Sequence, residues 1–390
     1  MEDKNNSIII FNYLYEPFYE YKDTGQYIIG LKEIGVDVLL ITVKKKNLEN
    51  YQPNFKIIKE EADKLLSFNY WQRQPVKNII YIAYKTSFDK KIIRILKKAG
   101  KKIIFKLDSD GALLPPIYNI KSQRFKAEVL KIIPRLIKWY LPPFNKINAL
   151  NFINTLNLAD SLIIESPQAA ENLKKSLIYW NRKEVIKKIN IIPNPVQTEN
   201  LFEIEKIKNK ENIITAVGRW DDIKQKNTIK AMKTISEFTN LKKDFKAYII
   251  GSGEKITKKL IKYNKTENIE ILGPLPHHKV IEVLSKTKLF FMPSRWEGFP
   301  IAAAEAVTMG CSIVGTPIPA LQYLSQNGFS GTISKDFSIK SLLEALIKDS
   351  EKWVAKKYKA EQIALYWRKK LNRKTIALKI LKIIKNEKNL

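Results

Sequence analysis

Short apolar runs recur along this chain, and a segment with helical spacing follows most of them. Ser7–Phe11 is one such run. Helical spacing follows around Tyr27–Ile34, Gly35 stops it, and the apolar run Val36–Val43 comes next. Asn78–Tyr84, Lys102–Lys106 and Ser161–Glu165 read as further strands. The second half repeats the scheme with Asn212–Val217, Lys246–Ile250, Ile269–Leu272, Leu289–Met292 and Ser312–Gly315, and with helical stretches at Lys279–Ser285 and Ile301–Met309. Unbroken apolar runs, as opposed to alternating ones, mean strands buried on both faces, the pattern of a parallel sheet covered by helices. The expected fold class is therefore α/β, with two parallel-sheet domains in tandem. A length of 390 residues agrees, because single cores stop growing near about 250–300 residues.

Prolines set the boundary between the halves. Ile191-Ile192-Pro193-Asn194-Pro195 stops both helix and central strand. We therefore expect a first domain at 1–195, a linker at 196–211 that includes the charged stretch Glu199–Glu211, a second domain at 212–352, and a lysine-rich helical segment at 353–390.

Charge and cysteine content narrow the function classes. The chain has 69 Lys and Arg against 39 Asp and Glu, a formal net charge of +30, yet only nine of the 69 are arginine. Readers of nucleic-acid sequence favour arginine for bidentate contacts, so no specific nucleic-acid partner is expected. An anionic membrane surface needs only point charges and fits lysine better. The segment Arg124–Leu150 mixes Ile and Leu with Lys126, Lys131, Arg135 and Lys138 and ends on Trp139-Tyr140, as an interfacial helix would. No apolar run reaches 18 residues, the N-terminus lacks the order of a signal peptide, and a single cysteine, Cys311, excludes an internal disulfide. We expect a cytoplasmic protein, peripheral at the inner face of the membrane.

Three segments carry chemistry. In Ser294-Arg295-Trp296-Glu297-Gly298-Phe299-Pro300-Ile301, a buried strand ends, a turn follows, and a helix opens at a proline. The first N–H groups of that helix can hold an anion. Glu297 stands before it and Glu305 inside it, two carboxylates able to accept from sugar or ribose hydroxyls. Val217-Gly218-Arg219-Trp220, with Lys224 and Lys226 beyond, places cations after the first strand of the second half, where they can clamp a diphosphate. Gly251-Ser252-Gly253 supplies a tight turn. No clustered His and Cys ligands suggest a metal. His277 and His278 precede a helix and read as surface residues.

Taken together, Gly218-Arg219, Lys226-Asn227, Gly251-x-Gly253 and the Glu297/Glu305 pair in a Ser-x-x-Glu-Gly-Phe context resemble the retaining GT-B glycosyltransferases of family 4, the group 1 glycosyl transferases, in their bacterial polysaccharide subgroup. The resemblance covers residues 213–331 and extends to Ala159–Pro195. It implies a GT-B fold, two Rossmann-like domains facing a cleft, with a C-terminal helix crossing back to the first domain. It further implies that Glu305 binds the donor ribose, that Glu297 faces the donor sugar with the amides of Phe299 and Ile301 nearby, and that Arg219 with Lys224 or Lys226 meets the charge of the leaving diphosphate. The glycines Gly218, Gly251 and Gly253 line the donor. Spacing from Arg219 favours Lys224, and the Lys-Asn pair favours Lys226.

The first half is less typical of the family. Its first-strand loop is Lys22-Asp23-Thr24-Gly25, and a later strand ends in Phe105-Lys106-Leu107-Asp108-Ser109-Asp110-Gly111. A related bacterial subgroup has similar segments. Strand ends in parallel sheets face the ligand, so Asp108 and Asp110, with Asp23 and Gly25, are candidates for the acceptor side, where a carboxylate can orient a hydroxyl or take its proton. The implied reaction is transfer of a sugar from a nucleoside diphosphate, UDP by family frequency, to a glycan or lipid-linked acceptor. The nucleotide sugar is a co-substrate, and no metal or other cofactor is expected. Two rival readings are an epimerase or phosphorylase on the same fold, and a basic membrane- or nucleic-acid-binding protein with a degenerate donor site.

Overall fold

A computed structural model describes residues 7–46, 52–83, 87–113, 141, 144–198, 203–262 and 268–385. The chain divides into two compact units, Met1–Val196 with Arg373–Leu390, and Gln197–Asn372.

Among the described residues, the large sheet of unit 1 has seven parallel strands: β1 (Ser7–Phe11), β2 (Asp37–Thr42), β3 (Lys56–Lys59), β4 (Asn78–Ile82), β5 (Lys102–Lys106), β6 (Ser161–Ile164) and β7 (Ile189–Ile191), in the order β3-β2-β1-β4-β5-β6-β7. Its apolar runs are buried on both faces, as continuous hydrophobicity demands. Ile9 and Phe11 face one core with Ile92, Ile93 and Leu96 of α2 (Ser87–Lys98) and Leu173 of α4 (Pro167–Tyr179). Ile8 and Ile10 face the other, with Tyr27, Ile28 and Leu31 of α1 (Asp23–Glu33). Between α2 and α4 runs α3 (Phe144–Leu158). The expected interfacial segment Arg124–Leu150 lies for the most part outside the described residues.

Unit 2 has six parallel strands: β8 (Glu211–Val217), β9 (Lys246–Ile250), β10 (Ile269–Gly273), β11 (Thr287–Met292), β12 (Ser312–Gly315) and β13 (Gly331–Ile333), in the order β10-β9-β8-β11-β12-β13. Its helices include α5 (Thr228–Leu241), α6 (Glu254–Lys262), α7 (His277–Lys286), α8 (Ile301–Thr308), α9 (Ile339–Val354) and α10 (Ala360–Leu371). The order is that of the dinucleotide-binding doubly wound sheets.

Two expectations change. The segment 196–211 is not a free linker: unit 2 begins at Gln197, and Ile207 is buried. The lysine-rich C-terminal segment is not one helix. It breaks at Asn372, whose extended-side ψ of 130° ends α10. Residues from Arg373 form α11 (Arg373–Lys385) in unit 1, where Ile376, Ala377, Ile380 and Ile383 join the α1 core. Among the described residues no helix is long and apolar enough to cross a membrane.

Candidate functional site

The strand order of unit 2 reverses between β8 and β11. Ligands of doubly wound sheets sit beyond the carboxyl ends of the strands at such a reversal. β8 runs out into Gly218-Arg219, and β11 runs out into Pro293–Pro300. The two most telling sequence segments thus stand on the two sides of the switch point.

Backbone packing explains the glycines. Gly218 N–H donates to the Ile250 carbonyl at 3.0 Å, and Trp220 N–H to Ser252 O at 2.9 Å. The buried Trp220 indole closes this turn by donating to Ile250 O at 2.9 Å. Gly251 adopts φ +114°, and a Cβ there would meet the Gly218 carbonyl oxygen at 1.9 Å. Gly253, at φ +93°, would put a Cβ 2.5 Å from Asp221 N. Any side chain at either position would push the β8 and β9 loops apart.

The loop after β8 is strapped to the loop after β11. Arg295 N–H donates to Gln225 O at 2.8 Å, Gln225 Nε2 to Trp296 O at 3.2 Å, and Arg295 Nε to Asn227 Oδ1 at 3.3 Å. The strap brings Lys226 to Glu297, Nζ to Oε1 at 2.6 Å, with Gln225 Nε2 on Oε2 at 3.3 Å. Both members of this ion pair are about nine-tenths buried, at 12% and 11% side-chain exposure. Two buried polar atoms beside it, Asn227 Nδ2 and Ser294 Oγ, have no hydrogen-bond partner among the described residues. Gln225 was not legible as a site residue, because its contacts form only when the two loops meet.

Helix α8 opens after Pro300, so its first N–H groups lack intrahelical acceptors. Phe299 is buried and packs against Tyr323, ring centroids 6.3 Å apart, while Ile301 is half-buried. Glu305 is 5% exposed and receives His277 Nε2 at Oε1, 2.7 Å away. This corrects the surface reading of His277. The histidine begins α7 and turns inward onto Glu305, whereas His278 stays exposed. The other end of α8 is held as firmly: the half-buried Lys210 donates to Met309 O at 2.6 Å and Arg368 to Thr308 O at 2.8 Å. Positive charge at a helix C-terminus is favourable.

The remaining cations separate. Arg219 lies 71% exposed, its guanidinium 3.8 Å from Asp222. Lys224 is half-buried, and it is Lys226 that occupies the place beside Glu297.

The first-half candidates form their own cluster in unit 1, at the carboxyl ends of β5 and β6. The Lys106 ammonium is wholly buried between Asp23 Oδ2 at 2.9 Å and Glu165 Oε1 at 3.0 Å. Glu165 also accepts the Asp108 N–H at 2.9 Å and the Ser109 N–H at 3.4 Å. Lys106 and Glu165 were not among the expected members of this cluster, although a lysine inside a buried strand run was a usable signal. Asp23 and Gly25 do not lie in a loop: they form the first turn of α1, and a Cβ on Gly25 would meet Glu20 Cα at 2.4 Å. Gly25 therefore has a packing reason. Asp110 stands apart from the cluster, with Oδ1 accepting Ala112 N–H in its own turn.

Asp108 sits at the rim in a left-handed conformation, φ +42°. Its side chain reaches water, yet the surrounding protein, followed by the negative charges of Glu165 and Asp23, outweighs Lys106 and holds its pKa up at about 6. The folded chain then binds more protons than the unfolded one between pH ~4 and the folded value, so stability falls as pH rises through that window. Asp108→Asn is expected to abolish this slope. Denaturation midpoints of both proteins across that window check it; parallel curves would mean an ordinary carboxyl.

Comparison with known proteins agrees with this geometry. Residues 197–370 match the family model for glycosyl transferases group 1. A UDP-Gal:alpha-D-GlcNAc-diphosphoundecaprenol alpha-1,3-galactosyltransferase of Escherichia coli is 30% identical over 179 residues, 41% of this chain and 45% of that protein. The chain thus matches less than half the length of this relative. Among solved structures, a glycosyltransferase from Rickettsia africae superposes with a TM-score of 0.68 at 16% identity, covering 98% of both chains. HepE of Anabaena in complex with UDP does so at 0.69 and 12% identity, over 98% of this chain and 100% of the other. Residues 197–370, which hold the switch-point site, are thus similar to the glycosyl transferases of group 1, and the fold is GT-B.

Proposed function

We propose that the protein moves a sugar from a nucleoside diphosphate, UDP above others, to an acceptor hydroxyl with retention at the anomeric carbon. The observation that carries this reading is the switch-point constellation: Lys226 on Glu297, an open helix start at Pro300–Ile301, and a recessed Glu305 in that same helix. Glu305 takes the ribose hydroxyls, Glu297 the donor sugar, and the α8 amides the phosphate. Lys226 turns from Glu297 to the diphosphate as it leaves, with Arg219 swinging in from solvent. Preorganised charge acts most where charge develops, so these two cations serve in place of a metal. The bond from the anomeric carbon to the diphosphate oxygen breaks, the bond to the acceptor oxygen forms on the same face, and the acceptor proton passes to the leaving phosphate.

UDP is favoured because HepE was solved with it. A lipid-linked or surface-polysaccharide acceptor fits the relative from Escherichia coli and the net charge of +30. On this reading the protein works at the cytoplasmic face of an anionic membrane. Asp23, Asp108 and Asp110 are proposed to serve the acceptor.

Thermal shift tests the donor site. At 100 times its dissociation constant a UDP-sugar should stabilise unit 2 by about 2.7 kcal/mol, and Glu305→Ala should abolish the shift. A panel of UDP-, GDP-, ADP- and dTDP-sugars that left the melting point unmoved would overturn the reading.

A further inference from the structure

We propose that His277 is a positioning residue for the ribose: by fixing one oxygen of Glu305 it aims the other at the two vicinal hydroxyls, so the pair selects ribonucleotides over 2′-deoxyribonucleotides. The inference rests on Glu305 being the ribose-binding carboxylate.

Glu305 is nearly enclosed, with 7% of its side chain exposed, and His277 retains 21%. A carboxylate taken out of water needs its lone pairs filled. Among the described residues His277 is the one side chain that hydrogen-bonds to it, Nε2 to Oε1 at 2.7 Å. An ionised carboxylate has no hydrogen to give, so the ring nitrogen facing it donates. That leaves Oε2 for a ligand.

Both halves of the pair stand on fixed elements. His277 is the first residue of α7, which follows Pro276 and is anchored by the buried Val280, Ile281 and Leu284. Glu305 sits in α8, flanked by the buried Ala303, Ala304, Ala306 and Val307. The pair joins two helices through residues 28 apart in sequence. A carboxylate tethered at one oxygen cannot rotate to follow a displaced ligand. Such a site rejects an analogue lacking the hydroxyl it was built to bind, because the carboxylate then stays desolvated and unpaired.

The experiment is calorimetric titration of UDP, GDP, ADP and CDP, each with its 2′-deoxy analogue, on the full chain and on His277→Leu, His277→Gln and Glu305→Ala. The native protein should prefer the ribonucleotide by about 10-fold or more. His277→Leu should weaken ribonucleotide binding by about 10- to 100-fold and bring the ratio close to one. His277→Gln, whose amide N–H reaches the same place, should restore most of both. If the leucine variant fails to fold, His277→Asn, whose amide stops short of Oε1, replaces it. A merely structural histidine would change the melting point of the free protein and leave the ratio alone. If Glu305→Ala loses binding while His277→Leu keeps affinity and ratio, this inference alone fails. If Glu305→Ala also binds normally, or no nucleotide binds the native protein, the donor-site reading falls and takes the inference with it.

Discussion

Replacing Lys226 with methionine is expected to lower turnover of the sugar nucleotide by about 100- to 1,000-fold, with a much smaller change in donor KM. The side chain already lies at the switch point, 2.6 Å from Glu297 and shielded from water. In the ground state its charge is answered by that carboxylate. On the proposed mechanism the departing diphosphate competes for it in the transition state, and an interaction that strengthens only there acts on kcat. Methionine keeps the bulk and removes the charge. Steady-state release of nucleoside diphosphate, with the donor found by thermal shift, measures the effect. Lys224→Met should stay close to wild type. The reverse outcome, with Lys224→Met crippled and Lys226→Met active, would assign the diphosphate contact to Lys224.

Lys106→Met is expected to cost about 3–5 kcal/mol of unit 1 stability. The ammonium is the shared counter-ion of Asp23 and Glu165, and its removal leaves two recessed carboxylates facing each other. Burial alone would lower the Lys106 pKa, but the charges of Asp23 and Glu165 win and hold it well above its ordinary value. Burial likewise pushes Asp23 up, and Lys106 more than reverses that, so its pKa is lowered. A raised lysine contributes stability below its unfolded value, lost as pH rises through the folded one. A lowered aspartate contributes above its unfolded value, lost as pH falls. The Lys106–Asp23 pair therefore contributes fully between about pH 3.9 and 10.4. Urea denaturation at neutral pH should show the loss, and the triple variant Lys106→Met, Asp23→Asn, Glu165→Gln should recover part of it. A single variant as stable as wild type would show that water reaches these carboxylates.

Much of the architecture could be read from the apolar runs, because a strand buried on both faces has no polar alternation to confuse it with a surface helix. Lys102–Lys106, Lys246–Ile250 and Ser312–Gly315 were placed to the residue. Of the strands that escaped notice, Lys56–Lys59, Ile189–Ile191 and Gly331–Ile333 are three or four residues long and lie at the edges of the two large sheets. There the sheet supplies the pairing and the side chains need little hydrophobicity. The site divides in the same way. Glu297, Glu305 and the glycines stand in local patterns with a mechanical reason. The choice between Lys224 and Lys226 depends on turns between Arg219 and Asn227, where Asp222 N–H returns to Arg219 O and Lys226 N–H to Asp222 O. No count of spacing reveals how such turns fold back. His277 looked like a solvated loop residue because its partner lies on a different helix.

The division of the chain also orders events during synthesis. Residues 197–372 are contiguous and hold all of unit 2, so that unit can close as soon as they have left the ribosome. Unit 1 cannot. Although its sheet is translated first, Ile376, Ala377, Ile380 and Ile383 fill the face beneath α1, and Gly30 lies so close to the Arg373 backbone that a Cβ would meet its carbonyl oxygen at 2.6 Å. Until α11 emerges, α1 lacks the helix that packs against it. The earlier-made unit is thus the later to mature, and nascent chains stalled before Arg373 should bind chaperones through that uncovered face while unit 2 is already complete.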